Sequence, residues 1–341
     1  VHMDLGIYHL IQFMEVFKMK FWKRSILFIS MFLFVYIALC FIFTPKTRTD
    51  KGGKQFYAGR GFEAEAKDTI EVVGLGNSDL YSGINPLELY RQYNITAYSC
   101  GIAKCSTAAS YRLLRDILKK HQIKICLIET DFLYNRLGLA EYVQAFAKLQ
   151  FLAAPFIYHS RWKNLTWKDF TQLPNLNDNY DPFKGFMYSS KVFDYKLTDY
   201  MGNIHDEALP IPNENIKYLD KIRKLCEKEN IKILFIELPS PSSWSYAKSY
   251  GVKKYADKYN IDFIDYNVNP EYIHFDFNRD FRDKGNHLNV YGSIKVAKHL
   301  GKILLDYQVL TIHPNNSQFW QAELKMYEDR LKRDGIKVDN V

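Results

Sequence analysis

An uncharged apolar segment near the N-terminus constrains this chain more than any other feature of its sequence. No charged residue occurs in 25–45, and the stretch 26–43 is almost wholly apolar. As a helix, that stretch would measure roughly 30 Å, which is the thickness of the hydrocarbon core of a bilayer. A buried helix of a soluble domain would normally keep a polar stripe, and this one has none. The segment therefore predicts one transmembrane helix over 25–45.

The residues that flank this segment resemble those of a signal sequence that is not removed. Residues 19–24 read MKFWKR and form a basic region directly before the apolar run, while no small-residue cleavage site follows it. We therefore expect a signal-anchor, with a cytoplasmic or leader segment at 1–24 and a polar stem at 46–68. Four basic residues precede the helix and five follow it closely, so charge bias does not decide its orientation.

The composition excludes several classes of protein. The chain has 341 residues with 46 Lys and Arg against 38 Asp and Glu, and its net charge of +8 is not concentrated in a basic helix, so no nucleic-acid partner is expected. A mean hydropathy of -0.28 excludes a polytopic membrane protein. Five scattered cysteines exclude a disulfide framework, and the nine histidines show no close ligand pairing, so neither a metal nor a cofactor is expected.

From residue 69 onward, short apolar runs of strand length alternate with segments of helical periodicity. Parallel βαβ units produce this alternation. The pattern predicts an α/β domain over 69–311, three-layered and flavodoxin-like, with a five-stranded parallel sheet. The expected strands are 70–75, 95–99, 123–129, 231–238 and 261–266, and the expected helices are 86–92, 106–121, 213–229, 244–258 and 290–307.

Two segments lie outside this alternation. Residues 132–212 form an aromatic-rich insertion between the third and fourth strands, which suits either a substrate lid or a simple cover for the sheet. Within it, His159, Arg161 and Trp162 are candidates for substrate binding, because Arg beside Trp can clamp an anionic polymer or stack on a sugar. Packing of that Trp within the domain is an equal alternative. Residues 312–341 predict an amphipathic helix that packs on the domain, with docking to a partner or to the membrane surface as the alternative.

Polar residues follow the first and fifth predicted strands, at the edge where ligands of open α/β sheets bind. Ser78 follows the first strand, while Asp283 and His287 follow the fifth. Together they supply a serine nucleophile, its base and the carboxylate that orients the base. Taken singly, such a serine often serves as a helix cap and such a histidine is usually structural. Their combination at one sheet edge is what indicates a catalytic site.

These residues stand in motifs that resemble those of the SGNH/GDSL esterases and acyltransferases. GNSDL at 76–80 is similar to the GDSL block, whose serine is the nucleophile, and DFRDKGNHLNVYGSIKV is similar to the final block with its Asp and His. The resemblance covers roughly 69–131 and 231–307. It implies an acyl-enzyme on Ser78, with oxyanion donors from the backbone of Ser78 and from Gly101 in YSCGIAKCS.

The chain looks most similar to bacterial membrane-anchored members related to the D-alanyl transfer protein of teichoic-acid modification. That resemblance implies a single-pass protein of the bacterial cell membrane with an extracytoplasmic catalytic domain. It also implies an acylated cell-surface polymer as substrate, so that the protein takes part in polysaccharide modification of the cell envelope. A multispanning membrane-bound O-acyltransferase is the partner that it suggests.

Two departures from the family pattern concern the site. The third block normally offers an asparagine to the oxyanion, whereas this chain has Glu129, Thr130 and Asp131 there. Thr130, Asn77 or Arg161 could donate instead, with Asn77 and Asp131 as further candidates for substrate contact. The Asp283-to-His287 spacing is four residues rather than the commoner three.

Three functions remain open at this point. The leading interpretation is a surface-anchored esterase or O-acyltransferase that acts on a cell-envelope glycan or teichoic acid. The altered third block suggests an alternative, a catalytically inactive adaptor for a membrane-bound O-acyltransferase. An intracellular, membrane-tethered lipid or thioester hydrolase would fit the opposite orientation of the anchor.

Overall fold

A single long helix precedes the globular part of the chain. The computed structural model describes residues 5–57, 59–136, 138, 143, 147–174, 180–194, 199–285, 287–311 and 318–338. Helix α1 runs from Leu5 to Phe43, and its segment Lys18–Phe43 is long and apolar enough to cross a membrane. The predicted span 25–45 falls on the C-terminal half of this helix and its first two following residues.

The five predicted strands form one parallel sheet, which confirms the expected α/β fold. The spatial order is β2-β1-β3-β4-β5, and each neighbouring pair is parallel. This order places β1 between β2 and β3, so the order in which strands are added reverses next to β1. Open α/β folds bind ligands at such a point, beyond the carboxyl ends of the strands. The strands are β1 Val72–Gly76, β2 Ala97–Gly101, β3 Ile125–Glu129, β4 Lys232–Glu237 and β5 Asp262–Asp265.

Helices cover both faces of the sheet because the strands direct apolar side chains to both faces. Helices α5, α9 and α10 pack on one face against side chains such as Val73 and Phe235, while α3, α4 and α11 pack on the other against Val72 and Leu234. The helices are α2 Gly53–Phe56, α3 Ser78–Gly83, α4 Pro86–Tyr93, α5 Thr107–Ile117, α6 Ala147–Leu152, α7 Ala154–Ile157, α8 Trp167–Thr171, α9 Asn213–Lys228, α10 Tyr246–Lys258, α11 Val290–Asp306 and α12 Gln318–Arg333.

Short 3₁₀ segments occur among the described residues at Gly61–Ala64, Asp131–Tyr134, His159–Asn164 and Pro270–Tyr272. The C-terminal helix α12 packs on the domain, as one of the two sequence-based readings expected. Its Trp320 and Tyr327 are fully buried in a cluster with Tyr90 of α4 and Ile294 of α11. Tyr327 also donates a hydrogen bond to Glu88 at 3.1 Å, which joins the helix to the sheet-covering layer.

Two described parts of the 132–212 insertion contact the edge of the sheet and the end of α1. One part pairs with the outer edge of β2, where the backbone N–H of Ser99 donates to the Lys184 carbonyl at 2.9 Å. The fully buried Lys184 ammonium forms ion pairs with Glu65 and Glu323, so this segment is tied to both the stem and α12. The other part, 147–173, contacts the end of α1.

Candidate active site

The turn between β1 and α3 carries Ser78 at the carboxyl edge of the sheet. Asn77 is the N-cap of α3, and its side-chain oxygen accepts the N–H of Asp79 at 2.7 Å. Its Nδ2 donates to Asp131 at 3.3 Å, which ties the turn to the segment after β3. As the first residue of the helix, half-buried Ser78 has a backbone N–H that the helix itself does not use.

Glu129, the last residue of β3, supports this turn from below. Its fully buried carboxyl group accepts the backbone N–H of Asn77 at 3.2 Å and that of Asp131 at 2.7 Å. Burial, and then the nearby charges of Asp79 and Asp131, raise the pKa of Glu129 well above its ordinary value. Glu129 therefore holds the turn that carries Ser78 through hydrogen bonds, a role for which the sequence offered no signal beyond its place at the strand end.

His287 and Asp283 contact each other within one loop. The His287 Nδ1 atom lies 2.5 Å from Asp283 Oδ2, and the His287 N–H donates to Asp283 Oδ1 at 3.0 Å. Burial lowers the pKa of His287 below 6.5, while the hydrogen bond and charge of Asp283 oppose that shift. If the neutral imidazole keeps its proton on Nδ1 and donates it to Asp283, Nε2 is the ring nitrogen that can accept a proton, as a general base requires.

Tyr81 connects the two halves of the site, and the sequence analysis missed it. It lies three residues after Ser78, on the same face of α3. Burial raises the pKa of its phenol, while the charge of Arg282 and the side chain of Ser78 oppose that shift. Its ring is parallel to the His287 imidazole, with 6.5 Å between the ring centroids and 8° between the planes. The guanidinium of Arg282 lies 5.9 Å from the Tyr81 ring centroid and donates to Ser82 at 2.9 Å. The i, i+3 spacing of Ser78 and Tyr81 was the available signal.

Several acidic side chains lie close to one another around the turn that carries Ser78. Burial raises the pKa of Asp79 to about 8, and the charges of Asp131 and Asp283 add to that shift. Asp131 accepts from the Lys248 ammonium at 3.0 Å and from the Asn77 side chain, so its two oxygens have partners. The charge of Asp283 contributes to the raised pKa of Asp79, so the loop with Asp283 and His287 and the turn with Ser78 influence each other electrostatically.

Gly101 lies at the end of β2, beside the Ser78 turn. A Cβ at this position would lie 2.7 Å from the Asn77 carbonyl oxygen and 3.0 Å from Tyr81 Cδ1, so a side chain here would displace the turn. The alternation of the parallel ladder directs the Gly101 N–H to the same side as that of Ser99, away from β1.

A cavity of about 390 Å³ lies on the side of β2 that faces away from β1. Its lining is largely apolar and includes Gly101, Tyr81, Phe186 and Met187, with Arg48 and Asp181 as an ion pair at its wall. Because Tyr81 and Gly101 belong to both the cavity wall and the Ser78 turn, the cavity adjoins the turn.

The side chains of Thr130 and Asn77 do not point at the site as expected. Thr130 is fully buried and its hydroxyl donates to Glu237 at 2.6 Å, because the turn after β3 directs it towards β4. The Asn77 amide is occupied by Asp131, as described above. Both donor groups are therefore bonded to carboxylates in this structure, whereas the sequence left them open as oxyanion donors.

The insertion residues also lie elsewhere. Arg161 is 2% exposed and is bonded to Asp169 at 2.6 Å and to the Phe43 carbonyl at 2.8 Å, so the expected role in substrate binding does not hold. His159 and Trp162 belong to the same segment at the end of α1, with His159 bonded to the Phe156 carbonyl at 2.7 Å and Trp162 exposed. The structure thus brings Ser78, Asp283, His287 and Gly101 to the sheet edge but not these three residues.

Comparison with known proteins identifies similar structures at low identity. No family model matches the sequence, and no curated protein matches it. A lipolytic protein of the G-D-S-L family from Desulfitobacterium hafniense is similar at 12% identity and a TM-score of 0.36, over 68% of this chain and 98% of that one. An acylhydrolase from Bacteroides fragilis is similar at 12% identity and 0.38, over 74% and 95%. A GDSL-like lipase from Bacteroides thetaiotaomicron is similar at 10% identity and 0.38, over 74% and 99%. Likeness at this level carries no inference about activity, which has to come from the site itself.

Proposed function

We propose that this chain is a membrane-anchored serine esterase or O-acyltransferase of SGNH type, with Ser78, His287 and Asp283 as its catalytic triad. The observation that carries the proposal is the 2.5 Å contact between His287 and Asp283. The His287 ring is also parallel to the ring of Tyr81, which lies on α3, the helix that begins at Ser78. A base with an orienting carboxylate beside a serine in a strand-to-helix turn is the arrangement that acyl transfer requires.

The mechanism assigns one task to each residue. His287 Nε2 takes the proton of the Ser78 hydroxyl while Oγ attacks the ester carbonyl, and Asp283 stabilises the imidazolium that forms. The backbone N–H groups of Ser78 and Gly101 are the proposed donors to the oxyanion. Collapse of the intermediate releases the alcohol, which receives the proton from His287 and leaves the acyl group on Ser78. His287 then deprotonates water or a sugar hydroxyl, whose oxygen attacks the acyl carbon. The bond to Ser78 Oγ breaks and Oγ regains the proton from His287, giving a free acid with water and a new ester with the sugar.

The oxyanion site has fewer donors in this chain than the family pattern provides. Thr130 and Asn77 direct their donor groups to Glu237 and Asp131, so the stabilisation rests on backbone N–H groups. Loss of one donor typically costs about 10²–10³ in rate. We therefore expect slow turnover on simple esters, or a substrate that supplies a donor of its own.

The cavity beside Gly101 is the proposed acyl pocket. Its volume of about 390 Å³ suits a short acyl chain better than a long fatty acid. The hydroxyl groups of Tyr98 and Ser99 in its wall are buried without a hydrogen-bond partner among the described residues. Since a buried hydroxyl without a partner is unfavourable, a short acyl group with a hydrogen-bonding substituent would fit this wall best.

The anchor and the resemblance to envelope-modifying proteins support the cellular part of the proposal. We propose that α1 holds the protein in the bacterial cell membrane with the catalytic domain outside, where it acts on a cell-envelope glycan or teichoic acid. A multispanning membrane-bound O-acyltransferase that delivers the acyl group is the proposed partner.

Labelling with a fluorophosphonate probe tests the catalytic assignment. The full-length protein in detergent should be labelled on Ser78, and it should hydrolyse p-nitrophenyl acetate. Ser78→Ala should lose both properties, and His287→Ala should lose nearly all turnover, at unchanged melting temperatures. Ser160→Ala, at an exposed position, is the matched control. A folded wild-type protein that resists the probe would instead favour the inactive adaptor, which the missing third donor already suggests.

A further inference from the structure

The end of the apolar helix α1 is built into the globular domain instead of leading to a free stalk. The Arg161 guanidinium donates to the carbonyls of Ile42 at 3.4 Å and Phe43 at 2.8 Å, and the Lys46 ammonium donates to the Phe41 carbonyl at 2.6 Å. Cationic side chains there satisfy the unpaired last carbonyls of the helix and its dipole. Removal of the helix would therefore deprive Arg161 of its two backbone acceptors.

Part of the insertion runs alongside the apolar stretch of this helix. The Tyr36 hydroxyl donates to the Leu152 carbonyl at 2.6 Å, and the Cys40 thiol lies 3.4 Å from the same oxygen. The rings of Tyr36 and Phe156 are 6.5 Å apart. Tyr36 precedes Phe43 by seven residues, which is about 10 Å along a helix axis. The insertion therefore reaches about 10 Å down a helix whose own surface is apolar.

We call residues 147–173 the collar, which comprises α6, α7, the 3₁₀ segment His159–Asn164 and α8. The collar exposes large apolar side chains to an extent that a water-facing surface seldom shows. Lys163 lies with its ammonium 5.2 Å from the Trp162 ring centroid, so basic and aromatic groups are mixed on this surface. The exposed apolar residues are Leu152, Phe156, Trp162, Trp167, Phe170 and Leu173, with exposures of 43%, 71%, 63%, 79%, 50% and 77%.

We propose that the collar inserts into the interfacial layer of the bilayer leaflet that surrounds the C-terminal end of α1. This inference rests on α1 being a membrane helix, as in the proposed function. A bilayer is the occupant because the collar is continuous with the lipid-facing surface of α1, and the depth of about 10 Å matches that of interfacial helices. Trp side chains with neighbouring Lys are typical of membrane–water interfaces, and Lys163 and Lys168 suit anionic headgroups.

Quenching of tryptophan fluorescence by brominated lipid tests this proposal on the full-length protein in nanodiscs. Five tryptophans are present, of which Trp244 and Trp320 are buried and Trp22 lies in the N-terminal half of α1. In a Trp22→Phe background, lipids brominated high on the acyl chains should give a clear loss of emission relative to the same lipids without bromine. The same protein with Trp162→Phe and Trp167→Phe should lose that quenching, since the two remaining tryptophans are buried in the domain.

The outcomes separate the collar from the anchor and from catalysis. Protein that enters nanodiscs but shows no quenching of Trp162 and Trp167 would overturn the proposal that the collar inserts into the bilayer. The exposed apolar surface would then favour a protein partner, and the proposal that α1 is a membrane anchor would stand. Protein that fails to enter nanodiscs at all would overturn both. Fluorophosphonate labelling of Ser78 in the same samples reports on the catalytic proposal independently, because it does not depend on where the collar lies.

Discussion

The carboxylate of Asp283 holds His287 at two points, through its ring Nδ1 at 2.5 Å and through its backbone N–H at 3.0 Å. The loop between them turns at Gly285, whose φ of 83° is a conformation that glycine adopts without strain. The longer spacing of four residues is thus closed by a turn, and the ring orientation and the loop conformation depend on one side chain.

Asp283→Asn should reduce the turnover number by about 10³–10⁴-fold with little change in KM, because the amide no longer holds the productive tautomer of His287 or stabilises its cation. Initial rates on p-nitrophenyl acetate measure this. Asp276→Asn changes another carboxylate of the same region, one that accepts a backbone N–H from Asn278, and should stay within about twofold of wild type. Near-normal turnover of Asp283→Asn would contradict the triad.

The activity should depend on pH through the neutral imidazole. Since burial holds the pKa of His287 below 6.5, kcat/KM should rise with pH through an apparent pKa below that value and then level off. The charge of Asp283 raises the pKa of His287, so Asp283→Asn should move the residual profile to lower pH. A wild-type profile that still rises above pH 7 would assign the base to another group.

Asp79→Asn should make the protein more stable in mildly alkaline buffer. The pKa of Asp79 is raised from 3.8 to about 8. Between about pH 4 and pH 8, the folded state therefore keeps a proton that the unfolded chain has already lost. The contribution of this group to stability is therefore full below about pH 4 and is lost as the pH rises towards 8. Asn mimics the protonated acid at every pH, and the variant should melt about 3 °C or more above wild type near pH 8.

Thermal melts at both ends of that window check the Asp79 prediction. The two proteins should melt alike at about pH 3, where the carboxyl is largely protonated in both states. Asp257→Asn, at an exposed site paired with Lys253, should leave the pH dependence of the melting temperature as in wild type. Parallel curves for Asp79→Asn and wild type would show that Asp79 is ionised in the folded protein.

Gly101→Ala should impair catalysis more than stability. Its Cβ would lie 2.7 Å from the Asn77 carbonyl oxygen, and relief of that contact moves the turn that carries Ser78. A displacement of this kind should lower kcat/KM by about 10-fold or more. Gly335→Ala is the control, because its φ of 71° strains an alanine while no atom lies within 4 Å of the new Cβ. That control should lose some stability and no activity; equal activity of both variants would exclude a role for Gly101 at the site.

Arg161→Met should destabilise the protein by about 3–5 kcal/mol, because it leaves Asp169 buried without its partner. Activity per folded molecule on a soluble ester should remain unchanged, since Arg161 lies at the end of α1. Urea unfolding in detergent and active-site titration measure the two quantities. Lys163→Met, an exposed cation of the same 3₁₀ segment, should change neither. A selective loss of activity in Arg161→Met would return this residue to substrate binding.

The sheet was predictable because its signals are local. Each strand is a short apolar run and each helix shows a 3.6-residue period. The runs 70–75 and 123–129 therefore predict β1 and β3 without reference to the rest of the chain. Right-handed crossovers then bring the ends of all parallel strands to one edge. The placement of Ser78 after β1 and of His287 after β5 could therefore be derived before any contact was known.

The direction of individual side chains was not predictable in this way. Thr130 follows β3 as expected, but whether its hydroxyl faces the substrate or Glu237 depends on how β4 lies beside it. Tyr81 acquires its place in the site only when the loop with His287 folds against α3. Local spacing contains no information about a partner that the fold supplies from another part of the chain.

By itself, the sequence determined the apolar helix, the alternation of strands and helices, and the sheet edge at which Ser78 and His287 lie. Only the tertiary structure decided what Arg161 does, since the carbonyl that it contacts at Phe43 is 118 residues away. Spacing beside Trp162 suggested a ligand clamp, whereas folding places the guanidinium against the last turn of α1. The physical reason is that periodicity and turn chemistry act over a few residues, while a buried cation takes its role from the unpaired acceptors that the folded chain brings to it.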